Sequence, residues 1–258
     1  MKKKKLKKNV KNTMYYVMMC ILLGVFCFSA VQMFKELKSY QDDQNAYDEL
    51  NQFVEVPVAQ ENEEIPETER IPQIDFESLM EINDDCIGWI YVPGTKISYP
   101  VVQTTNNDYY LKRLFNKTYG ISGTVFLDAR NDAEMTDRHM ILYGHHMKNG
   151  TMFANAEDYK DQIYADEHPT GMYITPEKVY DILFFAGYLT DAYNDSWTLN
   201  FTDAEFEDWI SKSKSRSHFY SDVTPEIGDQ IITLSTCSYD IADGRFVLLG
   251  ILKEKTKD

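Results

Sequence analysis

Three short segments of this chain combine residue types that can do chemistry. The first is Thr233-Leu234-Ser235-Thr236-Cys237, which reads as the end of a strand. Successive strand residues point to opposite sides, so Ile232, Leu234 and Thr236 share one face while Thr233, Ser235 and Cys237 share the other. The apolar pair can enter a core while the thiol looks onto a groove lined by hydroxyls. A thiolate there is a competent nucleophile, and the turn-like stretch 238–244 leaves it accessible. The second segment is Tyr143-Gly144-His145-His146-Met147, where a strand-like run ends in glycine and two histidines. Imidazole exchanges a proton near neutral pH and serves as general acid or base. Neighbours on an extended chain point opposite ways, so only one of the pair should face the cysteine. No second pair of ligands stands at a recognised metal spacing, so no metal is expected. The third is Arg245, at the head of the apolar run 245–250. Either it snorkels to the surface, or it lies beside the Cys237 strand and donates to a carbonyl or oxyanion.

These residues need a frame, and the chain from residue 86 onward supplies one. β-rich runs over 89–92, 99–102, 124–127, 139–143, 180–190, 230–236 and 245–253 are separated by turn signals such as Pro93-Gly94. They imply about seven or eight strands in one mainly β domain, most economically a closed or nearly closed barrel. Two interruptions read as helices, 151–161 and 202–217. In the second, Thr202 and Glu205 form a capping box and Phe206, Trp209 and Ile210 an apolar face.

Seven lysines among residues 2–11 precede an uncharged stretch over 14–34. About 20 apolar residues span a bilayer, more than the core of a cleaved signal peptide. The expected organisation is a cytoplasmic lysine-rich tail over 1–13, a single-pass transmembrane signal anchor over 14–34, and an extracellular remainder, oriented by the positive-inside rule. Leu37, Tyr40, Tyr47, Leu50 and Val54 recur at helical spacing. The Glu-rich stretch 59–70 is too polar to pack, so 35–70 reads as a helical and acidic tether and 71–258 as the catalytic domain, opening with a helix over 75–83. Setting the seven lysines aside, the formal charge of −15 becomes −22 for residues 12–258. That excludes nucleic acid as a partner, because an acidic surface repels phosphate. Cys20 and Cys27 fall in the span, leaving Cys86 and Cys237 outside. Two distant cysteines are no disulfide framework, and Cys86 reads as a small buried hydrophobe.

Together the segments resemble the sortases, and within that family class B. Thr233-Leu234-Ser235-Thr236-Cys237 resembles the TLxTC signature, His145 matches the histidine of the strand-end motif, and Arg245 matches the arginine that follows the cysteine. The likeness runs from about residue 85 to 252 and includes Gly88-Trp89-Ile90, Tyr99-Pro100-Val101-Val102-Gln103, Tyr109-Tyr110-Leu111 and Phe126-Leu127-Asp128-Ala129-Arg130-Asn131. It implies an eight-stranded sortase-type β-barrel with N-terminal helices and a helix inserted between late strands. It also implies that Cys237 attacks a sorting motif near the C-terminus of a secreted protein and forms a thioacyl intermediate. His145 would protonate the leaving amine and deprotonate an incoming cell-wall precursor amine. Arg245 would hold the oxyanion, Ser235 and Thr236 would contact substrate, and no cofactor is required. Some class B relatives carry an acid two positions after the cysteine; here that position is Tyr239, so the expected set is Cys-His-Arg. A pilus-polymerising sortase and an exported cysteine protease using water would share these three residues.

Overall fold

Short strands rich in Val, Ile, Tyr and Phe leave sticky edges unless they close on one another. Here they close. The computed structural model describes residues 2–57, 70–240 and 243–255, in two units, Met1–Asn45 and Ala46–Asp258. A short antiparallel pair, β1 (Val54–Glu55) and β2 (Gln73–Ile74), precedes the barrel. The barrel strands are β3 (Cys86–Tyr91), β4 (Ser98–Val102), β5 (Val125–Leu127), β6 (His139–Tyr143), β7 (Thr170–Ile174), β8 (Val179–Asp191), β9 (Gln230–Cys237) and β10 (Gly244–Glu254). They close in the order β10-β8-β7-β3-β4-β5-β6-β9. The pairs β4–β5 and β6–β9 are parallel, and the other neighbours are antiparallel.

The eight-stranded barrel is therefore as expected, with one strand the sequence pattern does not reveal. β7 follows Pro169 and contains Gly171, both of which disguise a strand. The glycine belongs there because a Cβ would lie 3.2 Å from the Phe184 ring and 3.2 Å from the Tyr91 carbonyl oxygen.

Among the described residues four α-helices accompany the strands: α1 (Lys2–Leu50), α2 (Phe76–Ile82), α3 (Gln162–Glu167) and α4 (Asp203–Arg216). Asp75 caps α2, its carboxylate accepting from Ser78 N–H at 3.0 Å. The capping box of α4 forms as expected, with Thr202 N–H donating to Glu205 at 2.8 Å. Its Phe206, Trp209 and Ile210 are buried against Phe185, Ile231, Val247 and Leu249. That contributes about 1.5–3 kcal/mol per large side chain. The helix expected over 151–161 is instead a 3-10 helix, Phe153–Lys160, followed by α3. Asp161 causes the break, because its carboxylate caps a new helix by accepting from Ile163 N–H at 2.7 Å.

The helical stretch Thr13–Phe53, which runs from α1 into the 3-10 turn Asn51–Phe53, contains an 18-residue window of mean hydropathy 2.3, none of it buried. By length and composition this one helix can cross a membrane. The N-terminal border of the second unit differs from the expected residue 71. Leu50 is buried in the cluster around Leu79, Trp89 and Phe126, and Tyr47, Phe53, Val54 and Val56 pack against it. Tyr47 also donates from its hydroxyl to the Gly123 carbonyl. Residues 46–57 thus join the barrel because their apolar side chains have a surface to cover. The rest of the expected tether, 58–69, lies outside the described residues.

Candidate active site

The register of three strands gathers the chemistry. Antiparallel pairing sets Arg245 on β10 directly across from Cys237 on β9. Parallel pairing sets Tyr143 on β6 beside Ser235 on β9, and Gly144 N–H extends that ladder to the Ser235 carbonyl at 3.0 Å. The chain then delivers His145 to the same end of the barrel. Cys237, His145 and Arg245 line one cavity of about 280 Å³, together with Ser235, Thr236 and Tyr143. A larger groove of about 820 Å³ lies between α4 and residues 224–228 and is lined by neither cysteine nor histidine.

The two histidines diverge as strand geometry requires. His145 Nε2 sits 2.7 Å from the Leu111 carbonyl oxygen. A carbonyl only accepts, so Nε2 carries a proton, and in the neutral ring the lone pair is on Nδ1. Gly123 helps to place the ring: its φ is 57°, and a Cβ there would lie 3.1 Å from His145 Cδ2 and 2.6 Å from the Tyr110 carbonyl oxygen. Only glycine tolerates both conditions. His146 turns to the other side, where Nδ1 lies 3.1 Å from the Cys237 carbonyl oxygen and 2.9 Å from Glu157 Oε2.

Cys237 is half-buried at the strand end. Cys86 differs sharply, since burial pushes its thiol up to about 12 and keeps it inert at neutral pH. Arg245 Nη1 donates to the Gly244 carbonyl at 2.9 Å and to that of Asp243 at 3.3 Å. The Ser235 and Thr236 hydroxyls are buried, and neither has a hydrogen-bond partner among the described residues. An unsatisfied buried hydroxyl costs about 1–3 kcal/mol.

One part of the wall escapes residue-by-residue reading. The Tyr143 hydroxyl donates to Asp128 Oδ2 at 2.9 Å, and Arg130 grips the same carboxylate through Nε at 2.9 Å and Nη2 at 2.8 Å. Burial opposes the charge of Asp128, but Arg130, its backbone N–H and Tyr143 outweigh burial and hold the carboxyl down to about 2. Burial first, then the Asp128 charge, raises Tyr143, so its phenol stays neutral and donates. The motif Asp128-Ala129-Arg130 is visible in the sequence, but its link to Tyr143 depends on the β5–β6 pairing.

A family model for the sortase domain matches residues 90–252. Sortase B of Listeria monocytogenes is 34% identical over 239 residues, covering 91% of this chain and 95% of that protein. Among solved structures, sortase B of Bacillus anthracis in complex with AAEK1 has a TM-score of 0.72 and 32% identity, covering 85% of this chain and 100% of that one. A Staphylococcus aureus sortase B–substrate complex has a TM-score of 0.67 and 33% identity, covering 70% of this chain and 85% of that one.

Proposed function

The chain belongs to the sortase family, and from that premise we propose that it is a membrane-anchored class B transpeptidase whose chemistry is carried by Cys237, His145 and Arg245. The observation that supports this reading is their convergence on one cavity. In the first half-reaction the Cys237 thiol proton passes to His145 Nδ1, and sulfur attacks the carbonyl carbon of a sorting motif in a secreted protein. The tetrahedral adduct collapses, the C–N bond breaks, and His145 returns the proton to the leaving amine. In the second half-reaction a cell-wall precursor amine attacks the thioacyl carbon, loses a proton to His145 and releases the Cys237 thiolate. Arg245 supplies planar donors to the oxyanion, each such donor being worth about 10²–10³ in rate. Ser235 and Thr236, which both line the cavity, contact the bound peptide.

The apolar stretch 14–34 anchors the protein in the cell membrane, with 1–13 cytoplasmic and the barrel extracellular, where secreted cargo and wall precursor meet. A peptide-library cleavage assay with the full chain, with and without added amines, tests the reading. Cleavage should require Cys237, and amines should divert product from acid to amide. Product that stays hydrolytic with every amine, wall-precursor fragments included, would make the chain a protease instead.

A further inference from the structure

Strand β6 stops pairing too early to hold the nucleophile. In the parallel β6–β9 ladder, Gly144 N–H bonds to the Ser235 carbonyl at 3.0 Å. Parallel ladders repeat every second residue, so the next bond would run from the backbone N–H of residue 146 to the carbonyl of Cys237. Instead the chain has turned away, and His146 forms a bridge with Met152. The ladder position is filled by the side chain, since His146 Nδ1 stands 3.1 Å from the Cys237 carbonyl oxygen.

That imidazole is itself held. Glu157, on the Phe153–Lys160 turn, places Oε2 2.9 Å from His146 Nδ1, and the two side chains are 13% and 19% exposed. The Cys237 carbonyl only accepts, so Nδ1 carries the proton and donates to it, with the Glu157 carboxylate beside the ring as its ionic neighbour. The second carboxylate oxygen of Glu157 accepts from the Ser238 hydroxyl at 2.6 Å and from Lys160. Lys160 in turn reaches Asp240 at 2.7 Å. The Tyr239 hydroxyl donates to the His146 carbonyl at 3.1 Å, with its ring edge-on to the imidazole at 5.2 Å. Every residue from Cys237 to Asp240 is thereby tied to His146, Glu157 or Lys160.

We propose that His146 and Glu157 are a positioning pair for the nucleophile. The imidazole N–H replaces the missing ladder bond at the Cys237 carbonyl, and Glu157 fixes that imidazole and Ser238 with one carboxylate. The strand end then cannot fray, and the thiol stays across from Arg245 and beside His145. The carboxylate that Tyr239 does not supply thus acts on the strand behind the thiol, through the second histidine. This rests on Cys237 being the reactive thiol.

The test is the rate of Cys237 alkylation by iodoacetamide in the full chain in detergent micelles at neutral pH, followed on the Cys237 peptide by mass spectrometry. Loss of one charge-assisted hydrogen bond should slow His146→Ala and Glu157→Gln by about tenfold. His146→Asn, whose amide N–H reaches where Nδ1–H stood, should recover most of that loss, and the double variant should fall no further than the slower single one. A merely structural role predicts the opposite sign, because loosening the strand end exposes the thiol. Alkylation as fast as wild type or faster in both single variants, with only the melting temperature lowered, would overturn the proposal. Should His146→Ala fail to fold by circular dichroism, Glu157→Gln and His146→Asn still decide it. No peptide substrate is needed, so a chain that alkylates as expected yet cleaves no peptide defeats the transpeptidase reading alone.

Discussion

The two sides of the strand end that carries Cys237 are built on opposite principles. On the side that carries Cys237, Ser235 leaves a buried hydroxyl without a partner among the described residues, and His145 is held by the Leu111 carbonyl. On the far side, His146, Glu157, Ser238, Lys160 and Asp240 share a network in which one carboxylate serves three groups. Unsatisfied buried polar groups cost about 1–3 kcal/mol each. Saturated groups give rigidity. The cavity side is therefore sparsely bonded and the far side saturated, and two histidines adjacent in sequence end up in different surroundings.

The sharpest way to break this contrast is to remove the thiol. Cys237→Ala should abolish thioacyl formation entirely, whereas Cys86→Ala, at a buried thiol raised to about 12, should leave turnover unchanged. Mass spectrometry of the chain trapped with a cleaved peptide reads the adduct directly, and an adduct in the alanine variant would remove Cys237 from the mechanism. Next comes the front histidine. His145→Ala should lose about 10²–10⁴ in turnover as a positioned acid/base is lost, more than the roughly tenfold assigned to a single hydrogen bond behind the strand. If the His146 variant proved the deader of two folded proteins, the front and back assignments would have to be exchanged. Arg245→Lys keeps the charge but loses the planar fork. A fall of about 10²-fold in kcat/KM is expected if that fork meets the oxyanion. Unchanged peptide cleavage by the lysine variant would confine Arg245 to its bonds with Gly244 and Asp243.

Much of the front was legible because it depends on local pattern. Strand alternation places Ser235 and Cys237 on one face, and the strand-ending histidine pair announces the divergence of His145 and His146 toward different partners. The α4 capping box was equally readable, since Thr202 and Glu205 are three residues apart. What escaped depends on register between distant segments. Nothing in the spacing of His146 and Glu157 says that they touch, because their contact follows from a 3-10 turn packed behind β9. Asp128, Arg130 and Tyr143 form a unit only through the β5–β6 pairing. β7 hid behind Pro169 and Gly171. Residues 46–57 looked like a tether because a helical apolar stripe does not reveal which surface will cover it.

A third histidine extends the contrast to stability. His139 lies at the start of β6, fully buried, with Nδ1 2.7 Å from the Thr198 carbonyl oxygen and Nε2 2.8 Å from Thr233 Oγ1. Trp209 and Phe201 cover its ring at 4.7 and 6.2 Å, and the nearest charges acting on it are Arg130, Asp128 and Asp137. Burial dominates and lowers it from 6.5 to about 4. A histidine neutral in the fold but protonated in the unfolded chain favours unfolding once the pH drops below the unfolded value. The loss therefore opens near 6.5 and is complete near 4. Asp128 contributes with a different window: its folded value of about 2 lies below the ordinary 3.8, so its stabilisation is present above 3.8 and is lost only as the pH falls from there toward 2. Between about pH 7.5 and about pH 5.5, His139 alone should therefore remove about 1 kcal/mol of stability. Urea denaturation of wild type and His139→Gln at the two pH values isolates the effect, because the remaining groups are common to both proteins. The wild type should lose about 1 kcal/mol more than the variant over that interval. Equal losses would mean that His139 titrates in the fold as it does unfolded, and that its buried hydrogen bonds do not exclude the charged ring.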